Sequence, residues 1–169
     1  MKINIAGTIP DSIVDGPGVR YVVFAQGCNH HCKGCQNPQT WDFNKGKSIE
    51  VKDLFDDIMK SVISKRVTFS GGDPFYQVPA FVELAKMLNQ EGFEIIAYTG
   101  FTFEELMSDL DNDYINLLEQ IDYLIDGKFE EDKKSLSLKF MGSSNQRIID
   151  VQKSIGNWED CEDLVLIKI

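Results

Sequence analysis

Residues 19–35 read VRYVVFAQGCNHHCKGC. The first eight, Val19 to Gln26, are rich in β-branched and aromatic residues and predict a buried strand. That strand runs without a linker into Gly27 and a loop carrying Cys28, Cys32 and Cys35. The spacing C-x3-C-x2-C places three of the chain's 4 cysteines on one tight turn. Three thiolates there can hold three irons of a cubane cluster and leave the fourth iron without a protein ligand. A cluster that only carries electrons normally has a fourth cysteine, and Cys161 lies far off, beside no second motif. An open iron points to chemistry at the iron. The competing reading is a structural zinc site made by the three cysteines with His30 or His31. Structural zinc sites usually pair two-residue knuckles from separate segments. A single loop supplies everything here, so the open cluster stands ahead of zinc, with both readings open.

Outward from this stretch, Lys2 to Ala6 predicts a short strand, and Asp11 to Gly18 (DSIVDGPG) a turn-rich loop. Residues 49–64 place Val51, Leu54, Phe55, Ile58 and Val62 at helical spacing. Arg66 to Phe69 predicts a strand, stopped by Ser70-Gly71-Gly72-Asp73-Pro74. Val78 to Gln90 predicts a helix burying Phe81, Leu84, Ala85 and Leu88, ended by Gly92. Phe93 to Tyr98 predicts a strand before Thr99-Gly100, and Phe103 to Leu110 and Tyr114 to Gln120 predict helices. Asp122 to Ile125 predicts a strand before Asp126-Gly127. Leu136 to Phe140, Arg147 to Val151 and Leu164 to Ile169 are strand-like. With no repeat, low-complexity segment or linker, one domain over 1–169 is expected, its core at about 11–150 and a C-terminal extension at about 152–169.

Strand–helix repetition calls for parallel strands with crossover helices, an α/β fold. Every unusual motif follows the C-terminal end of an expected strand: the cysteines, GGDP, TG and DGK. In parallel α/β folds those ends share one edge, and ligands bind there. The scattered motifs are therefore expected to meet. Four to six βα units are too few for an eight-strand closed barrel, so the expectation is a partial, open TIM-like βα barrel with mostly parallel strands.

Composition narrows the function. The formal net charge of −10 argues against general binding of nucleic acid or anionic membranes, which needs a basic surface. No apolar run reaches the roughly 20 residues of a membrane span. MKINIAGTIPD has no apolar stretch of signal-peptide length, so a cytoplasmic protein is expected, with clustered cysteines as metal ligands or catalytic groups rather than disulfides. Glycines in Ser70–Pro74 let a ligand approach the backbone, and exposed amides there would suit a carboxylate. The bland alternative is a turn in which Asp73 caps the next helix. Asp126 and Lys128 could grip a zwitterion or sit in a solvated turn. Gly142 to Arg147 could contact a ligand or simply turn.

Taken together, CNHHCKGC and SGGDP resemble the radical S-adenosylmethionine superfamily. More closely, DGPGVR (15–20), GCNHHCKGCQNP (27–38) with Thr40-Trp41, SGGDP (70–74), YTGF (98–101), DGKF (126–129) and GSSNQR (142–147) resemble, in order, the activating enzymes of anaerobic ribonucleoside-triphosphate reductase. The resemblance covers about residues 11–150. It implies that Cys28, Cys32 and Cys35 hold a [4Fe–4S] cluster whose open iron is chelated by S-adenosylmethionine. It places Gly34 and Gln36 near the adenine. Ser70, Gly71, Gly72 and Asp73 fall along the methionine end, Thr99, Asp126 and Lys128 near the polar end, and Asn145 and Gln146 close by. It further implies reductive cleavage to a 5′-deoxyadenosyl radical, which takes a hydrogen atom from a glycine of the large reductase subunit, with a flavodoxin-type donor. The chain departs from the pattern at Lys33, where many superfamily members have an aromatic, and at Met141, where arginine is common. Alternatives are an activase of another glycyl-radical enzyme, such as pyruvate formate-lyase, a 7-carboxy-7-deazaguanine synthase-like enzyme and, from another class, a zinc or electron-carrier module. The tail is expected to add a strand covering an edge.

Overall fold

The computed structural model describes residues 1–61, 63–161 and 164–168. Among these residues seven strands form one open sheet: β1 (Lys2–Ser12), β2 (Arg20–Ala25), β3 (Lys47–Glu50), β4 (Arg66–Gly71), β5 (Glu94–Tyr98), β6 (Tyr123–Asp126) and β7 (Arg147–Asp150). Their order is β3-β1-β2-β4-β5-β6-β7. The central run β2-β4-β5-β6 is parallel. Its flanks are antiparallel: β1 pairs with β2 and β3, and β7 with β6. The expectation of a mostly parallel sheet thus holds for the centre and fails at both edges. Where consecutive strands lack a crossover helix, as between β1 and β2, the chain must return antiparallel.

Among the described residues five α-helices join the frame: α1 (Val51–Ser61), α2 (Val78–Gln90), α3 (Phe103–Ser108), α4 (Tyr114–Leu118) and α5 (Val151–Cys161). In α1, Val51, Leu54 and Ile58 are buried at helical spacing; Val62, assigned to the same face by sequence, lies outside the described residues. Pro79 sits in the first turn of α2, where a missing N–H costs nothing. A capping box opens α3: Thr102 Oγ1 accepts from the Glu105 amide, and Glu105 accepts from the Thr102 amide. The helices pack their apolar faces on one side of the sheet, in a core built around Phe69, Phe81, Leu84, Leu88 and Ile95. On the other side, a smaller cluster of Ile96, Ile125 and Ile148 meets Tyr98 and Met141.

Three expectations are corrected. Residues 47–50 are an edge strand whose side chains are largely exposed, so no alternating pattern announces it. Leu136 to Phe140 is irregular, and Phe140 has φ +63°, which a strand does not accommodate. The tail from Gln152 is helical up to Cys161. Ser154 and Val151 are buried there and Trp158 packs on Phe103 at 5.5 Å between ring centres. Beyond it the chain returns to the sheet edge: Val165 O accepts from Asp150 N, and Ile167 N donates to Ile148 O. The edge is covered, though by a bridge rather than a full strand. Ile169 and the Cys161 side chain lie outside what is described. Among the described residues no helix is long and apolar enough to cross a membrane.

Buried Arg20 ties the starts of the parallel strands together. It donates to Thr68 Oγ1 (2.8 Å), Val67 O (3.0 Å), Pro17 O (3.1 Å) and Glu94 Oε1 (2.7 Å). At the other end Arg147 grips Asp126 and, in a fork, both carboxylate oxygens of Glu104 (3.0 and 2.7 Å). That fork holds the Glu104 carboxyl below its ordinary pKa, against a smaller opposing effect of burial. A depressed folded-state pKa stabilises the fold above the unfolded value and ceases to do so as pH falls through the folded one. Glu104→Gln is therefore expected to melt below wild type at neutral pH. The gap should close as pH drops through the carboxylate range, which melting curves over a pH series would read.

Candidate functional site

The four parallel strands end around one cavity of about 400 Å³. Cys28, Cys32 and Cys35 enter it after β2, Ser70 to Gly72 at the end of β4, Tyr98 to Gly100 at the end of β5, and Gly127 and Phe129 after β6. The common edge of the parallel run thus assembles motifs that are up to a hundred residues apart in the chain. The far wall is an irregular strap, with Lys134, Leu136, Leu138, Phe140 and Met141 facing the cavity.

All three loop cysteines are free thiols. The loop turns through left-handed backbone at His31 (φ +48°) and Gly34 (φ +77°), which folds the three cysteines back toward one side. Cys35 N donates to Cys32 O (3.1 Å), and Cys35 Sγ accepts from the Asn37 amide (3.4 Å). Burial pushes the Cys28 thiol up to about 11, and burial also raises Cys32, partly offset by the Phe129 amide and Lys128. Both thiols are neutral at pH 7 and must lose protons when iron binds. Among the described residues no three His, Cys, Asp or Glu side chains converge as ligands of a single ion. A cubane takes each thiolate at a different corner, so its ligands need not converge. Three free thiols on one cavity wall fit such a cluster, and the adjoining space is of the size that small-molecule sites have.

Asp73 is the structural hub of the site. It is fully buried, and its Oδ2 accepts from Thr99 Oγ1 (2.8 Å), Gly100 N (2.9 Å) and His30 Nε2 (2.9 Å), while Oδ1 accepts from Phe75 N (2.9 Å). One carboxylate thereby joins the cysteine loop, the β4 turn and the β5 turn. His30, by sequence a zinc-ligand candidate in the competing reading, is held between Phe101 (4.5 Å, edge-on) and Tyr76 (5.6 Å). A charged group on a polar loop gives no sequence signal that it will turn inward.

The structure gives two other expected ligand contacts different work. The Gly72 amide donates to Ala25 O (2.8 Å) and the Asp73 amide to Gly27 O (3.0 Å), so neither is exposed for a carboxylate. The glycines serve close packing instead. A Cβ on Gly72 would lie 2.5 Å from Gly27 O, and one on Gly71 (φ +94°) 2.5 Å from Ala25 N. Gly71→Ala is expected to cost more than about 1 kcal/mol, because both the backbone conformation and the space forbid it; a shift in denaturant midpoint would measure this. Asp126 is likewise buried and spent on Phe103 N (2.8 Å) and Arg147. It does not line the cavity, and neither do Gly34, Lys128 and Asn145. Gly34 faces Glu131 and Phe129. Asn145 clips two loops by donating to Lys128 O (2.8 Å), and its Oδ1 is buried without a hydrogen-bond partner. Gln36, Ser70, Gly71, Gly72 and Thr99 do line the cavity, beside the three cysteines. Tyr98, quoted only within a motif by sequence, donates its hydroxyl to Phe140 O (2.7 Å) and so pins the strap.

With this geometry in hand, comparison with known proteins is direct. Residues 14–149 match the family described as the 4Fe-4S single cluster domain. Proteins named anaerobic ribonucleoside-triphosphate reductase-activating protein are 36% identical over 146 residues in Escherichia coli K12, covering 81% of this chain and 92% of the relative. One from Enterobacteria phage T4 is 35% identical over 154 residues, covering 86% and 93%. The crystal structure of QueE from Escherichia coli superposes with a TM-score of 0.53 at 20% identity, over 60% of this chain and 54% of that one, which speaks to the fold alone. The chain belongs to the 4Fe-4S single cluster domain family and, within it, to the anaerobic ribonucleoside-triphosphate reductase-activating proteins.

Proposed function

We propose that this protein is the radical S-adenosylmethionine activase of an anaerobic ribonucleoside-triphosphate reductase, working as a single-domain partial βα barrel in the cytoplasm. The observation that carries the reading is the cavity itself, lined by all three loop thiols and by Ser70, Gly71 and Gly72. Family membership supplies the target. Cys28, Cys32 and Cys35 would hold the [4Fe–4S] cluster, with S-adenosylmethionine in the space beside it against Gln36, Ser70, Gly71, Gly72 and Thr99. When bound, these groups supply a one-electron reductive cleavage whose radical product takes a hydrogen atom from a glycine of the large reductase subunit.

The protein's own contribution is placement and shelter. Asp73 locks the cysteine loop to the turns after β4 and β5, so the cluster and cofactor walls form one rigid unit. Gly71 and Gly72 bring the β4 turn against the end of β2, and no bulkier residue would let the two approach. Trp41, Phe129 and Phe140 line the cavity with aromatic rings, which would limit the access of water once the site is filled. Asn145 and Lys128 stand behind the cavity wall, where they order the loops after β6. No general base is required, and the buried histidine is committed to Asp73. A flavodoxin-type protein would deliver the electron through the exposed side of the cysteine loop.

The test is anaerobic reconstitution with iron and sulfide, reduction, and EPR with and without S-adenosylmethionine. The expected result is a reduced-cluster signal that changes shape with the cofactor, then a glycine-centred radical when the reductase subunit is added. A cluster signal indifferent to the cofactor, or cofactor cleavage with no radical on the reductase, would sink the reading.

A further inference from the structure

Three large apolar side chains stand in water around the cavity. Val14 (72% exposed) and Leu136 (95% exposed) both belong to its wall, so they form its outer lip, and Ile13 (70% exposed) adjoins Val14. They come from two separate segments, the loop before β2 and the strap, and none joins either hydrophobic cluster. Exposed apolar residues gathered at the entrance to a site, rather than scattered singly, mark a surface that something covers.

The wall also limits what that something is. Apart from the cysteines and His30, its ionisable side chains of either charge are Asp15 and Lys134, with the more weakly acidic Tyr98. Asp15 is engaged by Ser12 Oγ (2.5 Å), and the Tyr98 hydroxyl is bound to Phe140 O. In a chain of net charge −10, the lip is thus close to neutral. Apart from the single cation Lys134 it offers little to an acidic protein surface, and its apolar side chains suit an uncharged chain segment. The strap is pinned at one end by Tyr98 and at the other by the Lys134–Ser143 bridge, and between them Ser135 and Ser137 bond to each other.

We infer that Ile13, Val14 and Leu136 form the docking lip for the uncharged, glycine-bearing segment of the reductase subunit, clasping it from two sides as it enters the cavity. The inference rests on the cavity being the reaction site. Docking surfaces draw their affinity from a few apolar anchors that lose water on contact.

The test uses the full chain, loaded with its cluster, and the intact large reductase subunit. In the triple variant Ile13→Ser, Val14→Ser, Leu136→Ser, Kd for the subunit is expected to rise at least about tenfold. Iron content and melting temperature should stay at wild type. Leu110→Ser, similarly exposed but outside the cavity wall, should bind as wild type does. If the triple variant loses its cluster, Ile13→Ser alone carries the test, since Ile13 lies outside the cavity wall, with a rise of about threefold expected. Unchanged binding would overturn the inference. So would a variant that loses only self-association, which would make the lip a contact between two copies, or only its rate of reduction by flavodoxin. A wild-type protein that binds and activates the reductase while the variants bind equally well defeats the docking lip alone. A wild-type protein that puts no radical on the reductase defeats the function itself.

Discussion

Cys28→Ala, Cys32→Ala and Cys35→Ala proteins, reconstituted without oxygen, are each expected to hold no stable [4Fe–4S] cluster and to cleave S-adenosylmethionine only at background. In the proposed site, three protein ligands would leave the cluster one open iron. Removing any ligand opens a second, and the cluster then sheds iron or collapses. Neither histidine of the loop stands ready to substitute: His30 is committed to Asp73, and His31 packs on Trp41 at 4.8 Å. Cys161→Ala is the control, since Cys161 is remote in sequence from the loop, and it should keep wild-type iron content. Iron and sulfide analysis with visible absorbance reads the first outcome, and product chromatography the second. A loop variant that retains four irons and cleaves the cofactor at the wild-type rate would remove that cysteine from the ligand set.

Asp73→Ala is expected to lower stability by about 3–5 kcal/mol, the cost of breaking a buried charged network by removing one partner. For a chain of this length that is a fall in Tm of roughly 10 °C. The carboxylate satisfies four donors, and alanine deprives each of that acceptor, Phe75 N and Thr99 Oγ1 in buried bonds and His30 and Gly100 N in part-buried ones. The loss also reaches the chemistry. Without Asp73 the His30 ring has no anchor, and the cysteine loop is no longer tied to the turns after β4 and β5. Iron retention should therefore fall together with Tm. Asp73→Asn preserves the shape but turns an NH2 group toward donors, and it should fall between the two. If Asp73→Ala melts within about 2 °C of wild type, the hub has been misread.

The two predictions differ in how visible they were before the fold was known. Cysteine chemistry is local. C-x3-C-x2-C on one turn is visible whatever surrounds it, so a candidate cluster loop was legible at once. The central strands and the α2 helix were legible for a similar reason. Val19 to Gln26 and Val78 to Gln90 carry strong periodic apolar patterns, and the structure gives β2 (Arg20–Ala25) and α2 (Val78–Gln90). Weakly patterned segments were not. Lys47–Glu50 is a strand only because β1 offers an edge, and Val151–Cys161 hides its helical face behind Ser154 and Gly156.

By itself, then, the sequence determined the α/β class, the common edge at which the motifs meet, and the three thiols at its centre. Periodicity, glycine placement and ligand spacing are local properties, and residue order carries them. Only the tertiary structure decided which polar groups face the cavity and which hold it together. Asp73 and Asp126 look like ligands in a line of letters. Folding places each among donors from distant segments, and the cost of burying an unpaired carboxylate makes those bonds obligatory. The same assembly set Val14 and Leu136 into the wall of one cavity, residues more than a hundred positions apart whose meeting no periodicity encodes.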